Sequence, residues 1–194
     1  MKLTLQDVRL AFPNIWTAKP FPGQKNAVAK FNCSLLFPQD HPAFKATMAA
    51  IVEVAKEGWP KDWESQLANI KGNSNKMCFV NGDTKSKFDG FAGNYVLSAG
   101  NKIRPTVLDK DKSPLVEADG KPYGGCYVNA IVDIWCQTKQ YPGIRATLMG
   151  LQFVRDGDAF SGGGVASDED FADLSDGADA PDIGAATGTG GSFV

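Results

Sequence analysis

At 194 residues, 43% of them hydrophobic, the chain is long enough to bury one sizeable core and to carry a tail beside it. It has no apolar run of about 18 residues and no charged-then-apolar leader after Met1, so the expectation is a soluble, intracellular protein with neither a helical membrane span nor a secretory signal. The formal charge of −2 hides a segregation: residues 156–194 hold nine acids and no Lys or Arg, so the other 13 acids face all 20 bases and residues 1–155 carry a net +7. A basic body with an acidic tail suits a body that meets a polyanion and a tail that competes for the same surface or recruits a partner.

In chain order, residues 3–12 are rich in β formers and predict a first strand, closed by Pro13, with Trp16 in the loop that follows. Alternation returns over 27–37, where Phe31, Cys33, Leu35 and Phe37 share one face and Lys30, Asn32 and Ser34 the other. Over 42–58 the period changes. Phe44, Met48, Ile51, Val52 and Ala55 predict the apolar stripe of an amphipathic helix that begins near His41 and stops at Gly58 and Pro60. A shorter helix is expected over 62–70 with Asp62 as its cap, then a polar, turn-rich stretch over 71–91, a short strand over 95–99 and a turn-rich excursion over 109–121.

The longest regular pattern lies further on. From Cys126 to Gln137 the chain alternates strictly: Cys126, Val128, Ala130, Val132, Ile134 and Cys136 form a wholly apolar face, and Tyr127, Asn129, Ile131, Asp133, Trp135 and Gln137 the other. Pro142-Gly143 is expected to supply the turn, with positive φ at the glycine, into a second strand over 144–154. A strand of that length has to bend, as strands do when a sheet closes into a barrel. After Arg155 the composition shifts to Gly, Ala, Ser and Asp, too poor in apolar surface to fold, so 1–155 is read as the domain and 156–194 as a disordered acidic tail.

Most chemical constellations fail on spacing. Cys33, Cys78, Cys126 and Cys136 form no CxxC pair and three of them sit in apolar runs, so they read as buried reduced thiols. The run from Asp109 to Gly120 starts like a calcium loop but has Pro114 where glycine is wanted and Gly120 where a bidentate Glu is needed. No phosphate loop, GxSxG or HExxH occurs, and His41 is the single histidine. Neither a cofactor, a metal nor a catalytic residue is therefore expected. A metal-dependent nuclease using Asp83, Asp89, Asp109, Asp111, Glu117 and Asp133 stays as the alternative, although most of these acids lie in turns, where Asp is favoured for local hydrogen bonds.

What remains is aromatic residues interleaved with bases on a β-rich scaffold. Stacking on rings and neutralisation of phosphates are the two terms that hold single-stranded nucleic acid without reading its sequence. The candidates are Lys30, Lys87, Phe88, Tyr95, Lys102, Arg104, Tyr127, Trp135, Lys139 and Arg145, with Phe91 weaker because its spacing to Tyr95 also suits a core position. In the tail, Asp168, Glu169, Asp170, Phe171, Asp173 and Phe193 are candidate partner contacts, the two rings as anchors in an acidic context. The strand, strand, helix, strand, hairpin order suits a mainly β fold with inserted helices, an elaborated five-stranded Greek-key OB-fold barrel.

Three segments in this order, FAGNYVLSAGNKIRP (91–105), GKPYGGCYVNAIVDIW (120–135) and GLQFVRDGDAFSGG (150–163), resemble a tailed-phage family of single-stranded DNA-binding proteins, and RLAFPNIW (9–16) is similar as well. The resemblance spans most of residues 3–163. It implies an OB-fold barrel in a non-enzymatic, virus-encoded protein that binds single-stranded DNA in replication or recombination, in the cytoplasm of an infected bacterium. Phage or host replication and recombination proteins, reached through the tail, and a second copy of the chain are further candidate partners. Phe193 is penultimate and the last acid, Asp182, lies well before it, a departure from the tails of other single-strand binders.

Overall fold

In the computed structural model, residues 1–20 and 28–160 are described; they hold seven strands and two α-helices. The strands are β1 (Lys2–Lys19), β2 (Lys30–Phe37), β3 (Phe79–Asn81), β4 (Tyr95–Asn101), β5 (Thr106–Leu108), β6 (Tyr127–Gln137) and β7 (Gly143–Arg155), with α1 (Pro42–Gly58) and α2 (Trp63–Ile70) between β2 and β3. One sheet runs in the order β3-β4-β2-β1-β6-β7-β5. It curls until its two sides meet: Cys78 N–H donates to Ile144 O at 3.0 Å, Ile144 N–H to Lys76 O at 2.8 Å, and Asn101 Nδ2 on β4 to Leu148 O on β7 at 3.0 Å. Strands β4, β2, β1, β6 and β7 are the barrel; β3 and β5 are additions at its margins.

The alternation over 126–137 sorts as expected. Val128, Ala130, Val132 and Ile134 are wholly buried, and their β6 neighbours Tyr127, Asn129, Ile131 and Asp133 are half-exposed. Burying a Val or Ile side chain contributes about 1.5–3 kcal/mol, so this face is a principal source of stability. A smaller cluster of Ala11, Leu36, Val80, Phe91 and Val96 lies outside the main core. Leu36 therefore breaks the expected polarity of the second face of β2.

Strand β1 differs most from expectation, because it does not stop at Pro13 and carries Trp16 within it. Its pairing with β6 shifts between Leu5 and Val8, and its pairing with β2 between Ala11 and Asn14. Asp7 and Phe12, at φ of 50° and 48°, mark these two shifts, and a third lies between Asn14 and Lys19, again against β2. Pro13 has no N–H to give a ladder, and a bulge is where a strand accepts that. The bends let a single strand pair with β6 along its first half and with β2 along its second.

Helix α1 has the predicted bounds, with His41 Nδ1 capping Ala43 N–H at 3.1 Å. Its buried stripe is Ala43, Thr47, Ala50, Ile51, Val54 and Ala55, rotated from the expected one so that Met48 is exposed. Small residues let the helix lie close against β6 and β1, and that close approach outweighs burial of one flexible methionine. The stretch 71–91 holds β3 and a 3₁₀ turn, Gly82–Lys85. In the β6–β7 loop the positive φ angles belong to Gln140 and Tyr141 rather than Gly143. Gly143 is needed for another reason: a Cβ there would collide with the Lys76 backbone where the barrel closes.

The compact unit runs to Phe160, five residues beyond the expected boundary at Arg155. Tyr123 Oη lies 3.0 Å from both Asp156 Oδ1 and Gly157 O, either of which takes its one proton, and accepts Gly157 N–H at 3.2 Å, while Phe160 N–H donates to Gly124 O at 2.9 Å. Arg9 Nη2 holds Asp158 O at 2.9 Å while its guanidinium lies over the Phe160 ring at 4.5 Å. One tyrosine, one arginine and one phenylalanine thus fasten a segment whose composition alone looked unfoldable. The tail candidates Asp168, Glu169, Asp170, Phe171, Asp173 and Phe193, and the expected disorder from residue 161 onward, lie outside the described residues.

Candidate nucleic-acid interface

Strand register gathers one set of candidates on the outer face of β4, β2 and the second half of β1. Ser34 pairs with Ser98 and Asn32 with Gly100 across β2 and β4, and Ala11 with Ser34 and Asn14 with Asn32 across β1 and β2. Opposite residues on antiparallel strands point to the same side, so these small and polar groups make a low floor. Asn14 Nδ2 donates to Asn32 Oδ1 at 3.1 Å, so the two amides in the floor hold each other.

Cations gather at one end of this floor. Lys30 lies opposite Lys19, and Lys102 follows Asn101, the β4 partner of Phe31. The Arg104 guanidinium lies over the Trp16 ring at 4.9 Å. At the other end three rings meet: Phe12 packs edge-on against Phe88 with centroids 5.2 Å apart, Phe91 lies 5.7 Å from Phe12, and Lys87 Nζ sits 5.0 Å from the Phe88 ring. Phe91 is buried, which places it in the support and not at the surface. Phe12 is 48% exposed. A bulky residue at positive φ costs about 1–3 kcal/mol, and here the bulge holds that ring out toward water.

The remaining candidates go elsewhere. Tyr95 packs against Phe44 at 4.7 Å and Phe79 at 5.4 Å, inside an aromatic cluster at the helix–sheet junction, so its ring supports the core and is not an exposed stacking surface. Tyr127 lies on the β6–β7 side with the Arg155 guanidinium 3.4 Å from its ring centroid and Arg9 at 5.8 Å; Arg155 is itself paired with both carboxylate oxygens of Asp7 at 3.0 Å. Arg145 donates to Asn75 O at 2.6 Å, Tyr141 O at 3.3 Å and Gln137 Oε1 at 3.3 Å, bracing the hairpin loop. Trp135 is 40% exposed and its Nε1 donates to Thr147 Oγ1 at 3.1 Å. Lys139 is exposed in the β6–β7 loop.

Three further exposed or half-exposed rings stand outside the sequence candidates. Phe12 and Trp16 flank Pro13, which masked the continuation of the strand; the β-rich Ile15-Trp16-Thr17 after that proline was the available signal. Tyr141, 76% exposed in the β6–β7 loop beside Lys139, looks in sequence like an ordinary turn residue. Loops of this kind, together with the face of adjacent strands, are where OB-folds hold oligonucleotides.

The acids do not converge. Asp83 Oδ1 accepts Gly93 N–H at 2.7 Å, and Asp133 pairs with the Met1 amino group at 2.8 Å. The Lys110 N–H and then Lys121 hold the Asp109 carboxyl below its usual range, and the Ser113 hydroxyl and N–H do the same for Asp111. Among the described residues no group of three or more His, Cys, Asp and Glu is placed to hold a metal. Burial pushes the Cys33 and Cys78 thiols up to about 12 and Cys126 to about 11, so these three are core groups with no thiolate at neutral pH.

Residues 1–181 match the family of the Enterobacter phage Enc34 ssDNA-binding protein. The chain belongs to that family. It is 45% identical over 177 residues to protein p50 of Acyrthosiphon pisum secondary endosymbiont phage 1, covering 90% of this chain and 95% of that one. The single-stranded DNA-binding protein of bacteriophage Enc34 superposes with a TM-score of 0.64 at 26% identity, over 92% of this chain and 90% of that one. The same phage protein in complex with ssDNA superposes with a TM-score of 0.65 at 24% identity, over 81% of this chain and 88% of that one, a likeness of fold. The family and the mainly β fold expected from the three quoted segments are thereby established.

Proposed function

We propose that the chain is a sequence-tolerant single-stranded DNA-binding protein of a phage, without catalytic activity, working in replication or recombination in the cytoplasm of an infected bacterium. The observation that carries this reading is the outer face of β4, β2 and β1: a low polar floor between a cationic end at Lys30, Lys102 and Arg104 and an aromatic end at Phe12 and Phe88. A floor without bulky side chains lets a backbone approach, rings take bases by their faces, and lysines take phosphates. Asn14 and Asn32 are occupied with each other, which leaves few groups to read base edges and favours sequence tolerance.

Titration with labelled oligonucleotides of graded length, as DNA and as RNA, tests this directly. Binding that saturates on single strands with little dependence on sequence is the expected result; binding confined to one sequence or to duplex would overturn it. Incubation of the bound strand with magnesium should leave it intact, and its cleavage would favour the nuclease alternative.

The tail is proposed to compete with DNA or to recruit replication or recombination proteins. Its removal should be made after Phe160, since a cut after Arg155 takes away the partners of Arg9 and Tyr123. Loss of 161–194, with seven acids, changes the formal charge from −2 to +5. Tighter binding by the shortened chain at about 0.01 M salt, fading as the Debye length falls from about 30 to about 10 Å, is expected from competition. Equal affinity would leave recruitment.

A further inference from the structure

The most exposed large aliphatic side chain among the described residues is Ile103, at 74%, between Lys102 and Arg104 in the connection from β4 to β5. An exposed isoleucine is unremarkable when the backbone beneath it is loose. Here it is fastened on both sides. Asn101 Oδ1 accepts Ile103 N–H at 3.1 Å while Asn101 Nδ2 donates to Leu148 O on β7 at 3.0 Å, so the turn is tied across the barrel closure. On the far side the Arg104 guanidinium lies over Trp16 at 4.9 Å, and Pro105 is buried.

We propose that Ile103 is a wedge that unstacks the terminal base pair where a duplex meets the single strand held by this protein. The inference rests on the single-strand reading above and adds a strand-separating action to it. An apolar side chain pressed between base steps opens them when the backbone carrying it cannot yield and when neighbouring cations hold the phosphates on either side. Both conditions meet at this tip: Asn101 and the Trp16–Arg104 stack fix the turn, and Lys102 and Arg104 supply the flanking charge. Ile103 sits between these two cations at one end of the floor, so a strand lying along the floor and running off that end would meet it at the junction with a duplex.

The test uses the full chain and a hairpin duplex with a single-stranded overhang, with 2-aminopurine in the last base pair before the overhang. With the overhang saturated, wild type should raise the fluorescence of that base severalfold. Ile103→Ser should bind the overhang within about twofold of wild type and give little of the rise, and Ile103→Leu should restore it. A full rise with Ile103→Ser, or saturation by wild type without any rise, overturns the wedge and leaves single-strand binding standing. Failure of wild type to bind the overhang overturns both.

Discussion

The outer face of β4, β2 and the second half of β1, and the outer face of β6, β7 and the first half of β1, carry similar residues and differ in what those residues already hold. On the second face Arg155 is bound by both oxygens of Asp7 and stacked on Tyr127, Arg145 makes three hydrogen bonds, and Trp135 is tied to Thr147. On the first face Arg104 is stacked on Trp16 and Lys87 lies beside Phe88, yet Lys30 and Lys102 flank a floor of serine, glycine and asparagine, and Phe12 and Phe88 at its far end meet edge-on. A cation or ring already held within the protein has to give up that partner before it can serve a ligand, a loss of up to about 1 kcal/mol for a pair as exposed as Arg155 and Asp7. Outward direction and chemistry are therefore shared by the two faces, while availability is not.

Charge offers the largest test of this difference. Replacing Lys30, Lys102 and Arg104 together by Gln should lower single-strand affinity at about 50 mM salt on the order of a hundredfold and reduce the slope of log affinity against log salt by roughly 2, at about 0.7 per phosphate. Replacing Lys2, exposed opposite Asp133 on the other side, should change the slope far less. Equal changes would mean that the body binds through its overall charge and not through one face.

Phe12 is the next largest. Phe12→Gly removes a ring and relieves a positive φ at once, so the variant should bind more weakly by roughly 1–3 kcal/mol of stacking while its melting temperature holds or rises. A core residue behaves the other way, losing stability first. A lower melting temperature with unchanged affinity would move Phe12 from the interface to the packing around Phe91.

The contrast also explains how far the sequence could be read. Strict alternation on β6, the helix period of α1 and three family-like segments identified the barrel, because each depends on spacing along the chain. Lys30, Lys102 and Arg104 could be placed together for the same reason: they sit on or beside strands whose faces could be assigned. Phe12 and Trp16 were hidden because a proline ends most strands, and the bulge that accommodates Pro13 is decided by pairing with β2. The internal partners of Tyr127, Tyr95 and Arg145 could not be foreseen, because Arg155, Phe44 and Asn75 lie 28, 51 and 70 positions away, beyond the reach of local pattern. Residues 156–160 looked tail-like because the groups that hold them, Arg9 and Tyr123, belong to other parts of the chain.

Trp135 gives the smallest expected effect and the finest division between the faces. Its ring is 40% exposed and its Nε1 is engaged by Thr147, so Trp135→Phe keeps a ring in place and removes one hydrogen bond at the surface. A surface change of this kind falls within about 0.5 kcal/mol, and single-strand affinity should move by no more than that. Trp16 provides the contrast, because its indole is stacked by Arg104 at the cationic end of the floor, where a bound strand would alter its surroundings. Quenching of tryptophan emission on adding oligonucleotide should therefore persist in Trp135→Phe and largely vanish in Trp16→Phe, with Trp59 and Trp63 common to both variants as background. If Trp135→Phe removes the quenching instead, the strand crosses β6 and β7. Strand β1, which pairs with β6 along one half and β2 along the other, would then be the track that carries it from one face to the other.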